Sequence, residues 1–281
     1  MWRGTYLVVG VVVACLVALA LIRRFVRQER VKEANDFVAF SMTVVGTIYA
    51  VILAFMVFAV WTDYQVAQDM IEREANALIR FSRFAYNTPG DLPQKFGADI
   101  LGYAHAVIDD EWPAMSRLKE SAVARERLDN LFARTDDFEV KTLREQALLS
   151  QGLDALNLVS SSRRSRLNKA KDELPDILWD LLIFGAVATI GGAAFFGVGS
   201  FAQHALNTAV MAATITFVLF AINEINHPFR GMIHVEPTAL QESIRVIERL
   251  QKTEMGAAAA GGATPDDPDE ERPPAPGVHP R

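Results

Sequence analysis

Hydrophobic and charged residues are sorted into separate blocks along this chain rather than interleaved. Thr5 to Ile22, Phe37 to Thr62 and Leu181 to Asn223 contain no Asp, Glu, Lys or Arg. A helix at the edge of a soluble core keeps one polar face. These stretches have none, which predicts helices surrounded by lipid. The first apolar run, 6–22, is just long enough to cross about 30 Å of hydrocarbon. Trp2 precedes it, and Arg23, Arg24, Arg27 and Arg30 follow. A cleaved signal peptide is the competing reading, with Arg3 as its basic region and Ala18-Leu19-Ala20 resembling a cleavage site. Against it, the run is long and meets arginines without a polar stretch between. The second span, 37–62, can be capped by Asn35 or Asp36 and ends at the interfacial aromatics Trp61 and Tyr64. The third block is about twice the length of a crossing, and Gly197 to His204 breaks it, predicting a hairpin of spans 177–198 and 205–223. Pro175 suits the first turn of one span and Pro228 ends the other. Four crossings then bring Trp2, Trp61 and Trp179 to one interface.

The intervening segment, 63–176, is charged and helical by pattern. Ala67, Met70, Glu74, Ala77, Phe81 and Phe84 recur at three- and four-residue steps, so span two is expected to continue into water. Asn87-Thr88-Pro89-Gly90 reads as a turn. A second helix is expected over about 92–110, a third from Pro113, and a fourth around Leu143 to Val159, with Gly152 weakening its middle. The whole is an all-α membrane protein: two spans within 1–62, a helical extramembrane domain over 63–176 and a transmembrane hairpin within 177–226. A juxtamembrane segment and amphipathic helix occupy 227–255. From Gly256 to Arg281 the chain is Ala, Gly, Pro and Asp, a composition that predicts a disordered tail.

Charge and cysteine content then remove function classes. The net charge of −6 offers no basic footprint for nucleic acid. One cysteine, Cys15, allows neither an internal disulfide nor a cysteine metal cluster. There is no Gly-rich phosphate loop, no zinc-type His-Glu pair and no Gly-x-Ser-x-Gly. No catalytic, cofactor-binding or metal residue is assigned, and an enzyme is not expected. The acidic run Asp109-Asp110-Glu111 could bind a hard cation, but without a ligand loop it reads as a solvated helix end. Membrane sidedness stays open. Arg23 to Lys32 favour an intracellular first loop, whereas Arg163, Arg164, Arg166, Lys169 and Lys171 favour an intracellular domain.

Proton-coupled transport is disfavoured because the spans hold no ionisable acid or base pair. Small residues instead repeat at helical steps. Gly46, Ala50 and Ala54 in span two, and Gly185, Gly192 and Gly199 in span three, are candidate helix-packing faces. Phe55 and Phe58 form an aromatic stripe that lipid contact would explain, and that could also build a hydrophobic pore constriction. Arg163, Arg164 and Arg166 are candidate lipid-headgroup contacts, or a solvated face paired with nearby acids.

Several short motifs then line up in order: Phe55 to Tyr64, Glu72 to Leu78, Glu111-Trp112-Pro113, Arg163 to Leu167, Leu174-Pro175 with Trp179, His227 to Gly231 and Val235-Glu236-Pro237. The series resembles the bacterial bestrophin-like membrane family, also catalogued as DUF4239, over about residues 35–245. The resemblance implies four spans with a helical domain after the second. By analogy with true bestrophins it also implies a homo-oligomeric anion channel of the cell (inner) membrane with the domain inside. No selectivity ring or calcium clasp can be carried over, because no matching acidic cluster is present. The alternative is a membrane sensor or scaffold whose helical domain binds a ligand or partner. Expected partners are the lipid bilayer and further copies of the chain, with no cofactor.

Overall fold

The computed structural model describes residues 2–25, 35–196 and 200–261. In chain order these form α1 (Trp2–Phe25), α2 (Asn35–Tyr86), α3 (Leu92–Ala106), a π-helical turn (Val107–Glu111) and α4 (Trp112–Met115). They continue with α5 (Ala122–Asp136), α6 (Leu143–Lys169), α7 (Asp176–Ala194), α8 (Phe201–Ile225) and α9 (Thr238–Gly261). No strand occurs among the described residues. Among the described residues four helices, α1, α2, α7 and α8, are long and apolar enough to cross a membrane.

The spine of the molecule is α2. Its 52 residues contain no proline and a single glycine, so nothing interrupts the hydrogen-bond ladder over about 78 Å. It stops where the turn residues begin. Thr88 Oγ1 donates to the Ala85 carbonyl at 2.6 Å, Asn87 Nδ2 donates to that of Arg83 at 2.7 Å, and Gly90 takes a positive φ of 74°.

The two halves of α2 carry two different cores. On the membrane half, the Tyr49 ring lies over Gly185 of α7 and Met42 lies over Gly192, where no side chain on the partner helix would fit. The Tyr49 hydroxyl donates to the Leu182 carbonyl at 3.0 Å. Met56, Val60, Leu182 and Ile222 close the bundle centre of α2, α7 and α8. The first span, α1, packs chiefly along α8, with Gly4 against the Phe220 ring.

On the other half, α6 runs antiparallel to α2, and α3, α5 and α9 complete a domain around Leu78, Phe81, Phe96, Ile100, Leu131, Leu156 and Ile247. Each of these apolar side chains contributes about 1.5–3 kcal/mol by burial. At the far end Phe81, Phe84, Phe96 and Phe138 form a ring cluster with centroids 5.5–6.1 Å apart. Gly152 lets α6 approach this cluster, since a Cβ there would fall 2.6 Å from the Phe84 ring. Gly152→Leu is therefore expected to lower stability by roughly 2 kcal/mol despite its better helix propensity. Thermal melting in detergent should show the loss, and an unchanged melt would refute this packing.

Several boundaries differ from the expectation. The third domain helix is not one piece from Pro113: α4 ends after a single turn, Leu118 adopts a positive φ of 59°, and α5 restarts at Ala122 behind its Ser121 cap. The last span begins at Phe201, so Phe201 to His204 are helical rather than loop, and α7 closes at Ala194. Residues 197–199, Gly199 among them, lie outside the described residues. The helix α9 continues to Gly261, past the Gly256 at which the composition predicts disorder to begin. The rest of that tail is outside the described residues, as are Arg27, Arg30 and Lys32.

Candidate functional site

Two features stand out, one on each half of α2. The first is its face turned away from α7 and α8. Gly46, Ala50 and Ala54 do not pack on a neighbouring helix of the same chain: a Cβ at Gly46 would meet nothing within 4 Å, and Ala50 and Ala54 are exposed. Phe55 and Phe58 are each 68% exposed. The hydroxyls on this side are satisfied locally, Thr43 and Thr47 bonding back to the carbonyls four residues earlier at 2.8 and 2.7 Å, and Thr62 to that of Phe58 at 2.9 Å. This leaves a charge-free helical face carrying small residues, then two phenyl rings, then Trp61, which stacks on Tyr64 at 5.7 Å. Beyond the membrane the same side of the helix continues through Asp69, Glu72, Asn76, Arg80 and Arg83, all exposed.

The second feature is a buried charge network in the domain. Arg166 is completely buried and donates to both oxygens of Glu74, at 2.8 and 3.0 Å, and to Glu111 Oε2 at 2.9 Å. Its remaining nitrogen reaches Met115 Sδ at 2.8 Å, and its guanidinium lies 5.4 Å from the centre of the Trp112 ring. Arg163 pairs with the same Glu111, through Nη2 at 2.5 Å and Nε at 3.1 Å. The Tyr103 hydroxyl donates to Glu74 Oε1 at 2.7 Å. Two arginines and two glutamates cancel. Burial works against the charge on both arginines, yet Glu74 and Glu111 outweigh it for Arg166, and Glu111 for Arg163, so each guanidinium stays above its ordinary pKa.

Local structure delivers these side chains. The π-helical turn adds a residue to the α3–α4 run, and Trp112 N–H bonds the Val107 carbonyl five residues back. That rotates Glu111 inward while Asp109 and Asp110 stay exposed. Trp112 in turn holds the segment after the last span. Its indole N–H donates to the Val235 carbonyl at 3.3 Å, and its ring meets Phe229 edge-on at 5.7 Å. The segment is closed by Val235 N–H to the Pro228 carbonyl at 2.7 Å, and by Met232 N–H to Glu224 at 2.8 Å across Gly231, whose φ of 93° suits glycine. Arg230 pairs with Glu173, and Asn226 accepts from Leu174 N–H at 3.2 Å.

This corrects two sequence expectations. Arg163 and Arg166 are not at lipid headgroups, because their guanidinium groups are spent inside the domain on Glu111 and Glu74; of the three candidates only Arg164 is exposed. Glu111 is not part of a solvated acidic end. Residues of six separate sequence motifs, Tyr64, Glu74, Glu111–Trp112, Arg163–Arg166, Phe229 and Val235, converge on this one region or pack beside it. A signal was available in Glu74, which falls on the apolar face of α2 by spacing and so needs a buried cation. No group of three or more His, Cys, Asp or Glu among the described residues could hold a metal ion.

The network has an alkaline limit. Burial, then the charge of Glu74, holds the Tyr103 phenol well above its ordinary 10.0, and burial pushes Tyr86 up to about 12. Folded chains thus keep protons that unfolded chains release above pH 10. The stability these phenols contribute is complete below that pH and is lost as pH rises through their folded values. Melting temperature should fall as pH is raised beyond about 10. In a Tyr86→Phe/Tyr103→Phe variant that decline should be shallower, starting from a lower plateau because the Glu74 bond is gone. An equally steep decline in the variant would refute the assignment.

Comparison with known proteins agrees with the fold. A family model described as the Bestrophin-like domain matches residues 9–240. No curated protein matches the chain. Among solved structures, one substituted form of a bacterial bestrophin homologue from Klebsiella pneumoniae is similar with a TM-score of 0.59 at 12% identity, over 87% of this chain and 99% of that one. A second substituted form gives 0.60 at 14%, over 90% and 98%. A structure described only as a membrane protein gives 0.62 at 11%, over 91% and 100%. At such identities these likenesses concern the fold.

Proposed function

Because the chain belongs to the Bestrophin-like family, we propose that it is one subunit of a homo-oligomeric, anion-conducting channel in the cell's inner membrane. In this reading the unpartnered face of α2 lines the permeation path. The observation that carries it is the 68% exposure of both Phe55 and Phe58 on a helix side that neither α7 nor α8 covers. Copies arranged around an axis would bring those rings together as an apolar neck that conducts when wetted. Gly46, Ala50 and Ala54 would give the neck close approach on one side. Arg80 and Arg83 on the same side of the domain half favour anions in the vestibule, with Asp69 and Glu72 nearer the membrane as the opposing influence. A solved structure of similar fold is described as a bacterial bestrophin homologue, and the charge-free spans agree with conduction rather than proton-driven transport.

The test is electrical. Purified protein in planar bilayers should give currents in chloride salts, with a reversal potential in a salt gradient that follows the anion. Absence of conductance above protein-free bilayers, across salts and pH, would sink the proposal. Native mass measurement of the detergent complex should return a multiple of the 31.0 kDa chain.

A second reading, a membrane sensor, is favoured by one observation. A cleft of about 460 Å³ between α2 and α6 places Arg80, Arg83, Asn87, Gln151 and Asp154 beside the apolar Phe84, Leu148 and Ala155, a mixed lining that could take a small amphiphilic charged ligand. Full-length protein that binds such a ligand yet never conducts would favour the sensor.

A further inference from the structure

A second cavity lies wholly within the membrane half. Because α1 packs along α8 and hardly touches α7, a groove of about 610 Å³ opens between α1 and α7, with α8 as its floor. Val11, Cys15 and Ala18 form one wall and Ile183, Val187 and Gly191 the other. Along α8 the lining runs from Thr208 to Asn223, about 22 Å at 1.5 Å per residue. A transmembrane helix about 10 Å across would need well over 1,500 Å³ for that length, so another copy's span does not fit. One acyl chain, reaching about 15 Å from either interface, does.

The end of the groove near the hairpin is different in chemistry. Ile22 and Thr208 line it there, and the next residue, Arg23, lies with its guanidinium 5.5 Å from the centre of the Phe201 ring. Phe201, His204 and Thr208 follow at helical steps on one side of α8. His204 and Thr208 are 3% and 2% exposed. The Nε2 of His204 lies 3.0 Å from the Ala193 carbonyl, so it carries the proton. Its Nδ1 and the Thr208 hydroxyl meet no hydrogen-bond partner among the described residues. Of the two residues Thr208 lines the groove; a buried hydroxyl left in that state is costly, and a polar guest entering from the interface relieves it. The chemistry that suits this end is an anion near the positive charges of Arg23 and Arg24, an acceptor for the Thr208 hydroxyl deeper in, and a saturated chain below.

We propose that this groove is a binding site for one anionic phospholipid, with its chain along Gly191 and Cys15, its ester oxygen at Thr208 and its phosphate beside Arg23. A phosphatidylglycerol satisfies each part, its phosphate being the anion and its ester oxygens the acceptors for the Thr208 hydroxyl. The site faces away from the open side of α2 and is independent of whether the protein conducts.

Native mass spectrometry of delipidated full-length protein, titrated with phosphatidylglycerol or phosphatidylcholine of matched chains, tests it. One phosphatidylglycerol per chain is expected, retained about fivefold better than phosphatidylcholine, the margin one arginine near a membrane surface supplies. Gly191→Trp fills open space, because a Cβ there meets nothing within 4 Å, and should abolish both adducts. Ala18→Trp should do the same from the opposite wall, so a folding defect in one variant cannot mimic the result. Arg23→Gln should keep an adduct but erase the headgroup preference. Adducts that survive both tryptophans, or equal retention of the two lipids by the wild type, would overturn the proposal. So would a tryptophan variant that changes the number of chains per particle, since a second copy would then be the occupant.

Discussion

Arg166→Met is expected to remove about 3–5 kcal/mol of stability, the largest single loss among the predicted variants and a substantial share of the 5–15 kcal/mol typical of a folded domain. The reason is asymmetry. With Arg166 in place, Glu74 and Glu111 are fully buried carboxylates with cationic partners. Without it, Glu111 keeps Arg163, but Glu74 retains only the Tyr103 hydroxyl, a neutral donor. The methionine fills the volume and supplies no charge, so the cost is that of a stranded anion rather than of a cavity. Glu74→Gln strands the opposite charge less severely, because Arg166 can still lean on Glu111. The double variant Glu74→Gln/Arg166→Met removes both charges and leaves the Arg163–Glu111 pair neutral, so it should be more stable than Arg166→Met alone. Melting of the three variants in detergent gives the coupling directly. If the double variant is as unstable as the sum of the singles, the network is not the cooperative unit described above.

The second large effect concerns current rather than stability. Phe55→Ala/Phe58→Ala should raise conductance roughly tenfold, which corresponds to lowering a dewetting barrier by about 1.4 kcal/mol. Melting should hardly change, because both rings are mostly exposed in the single chain. Single-channel recording beside wild type makes the comparison, and equal or smaller currents from the variant would place the constriction elsewhere.

Much of this architecture was legible in the residue pattern, for a physical reason. Lipid tolerates no charge, so the uncharged blocks Phe37 to Thr62 and Leu181 to Asn223 could be read without knowing any partner. The continuity of α2 was legible too, because no breaker separates Trp61 from Tyr86. The charge network was not. An arginine in a polar segment looks the same in sequence whether it faces solvent or a glutamate 92 residues away, and only three-dimensional pairing makes Arg166 an inward residue. The π-helical turn that carries Glu111 inward is likewise invisible, since its single added residue alters no composition. Hydropathy places the start of the last span too late because Ser200, Gln203 and His204 are polar. Those residues sit at a helix start, where a polar side chain is at home and the break is shorter than hydropathy suggests.

The uninterrupted length of α2 turns it into a lever. Glu74, gripped by Arg166, lies sixteen residues beyond Phe58, roughly 24 Å along the axis. A rigid rod turning by about 5° about the Glu74 grip carries the Phe58 ring through about 2 Å. If the proposed channel has its neck at Phe58, anything that loosens the grip in the domain would be felt there mechanically, without an intermediary.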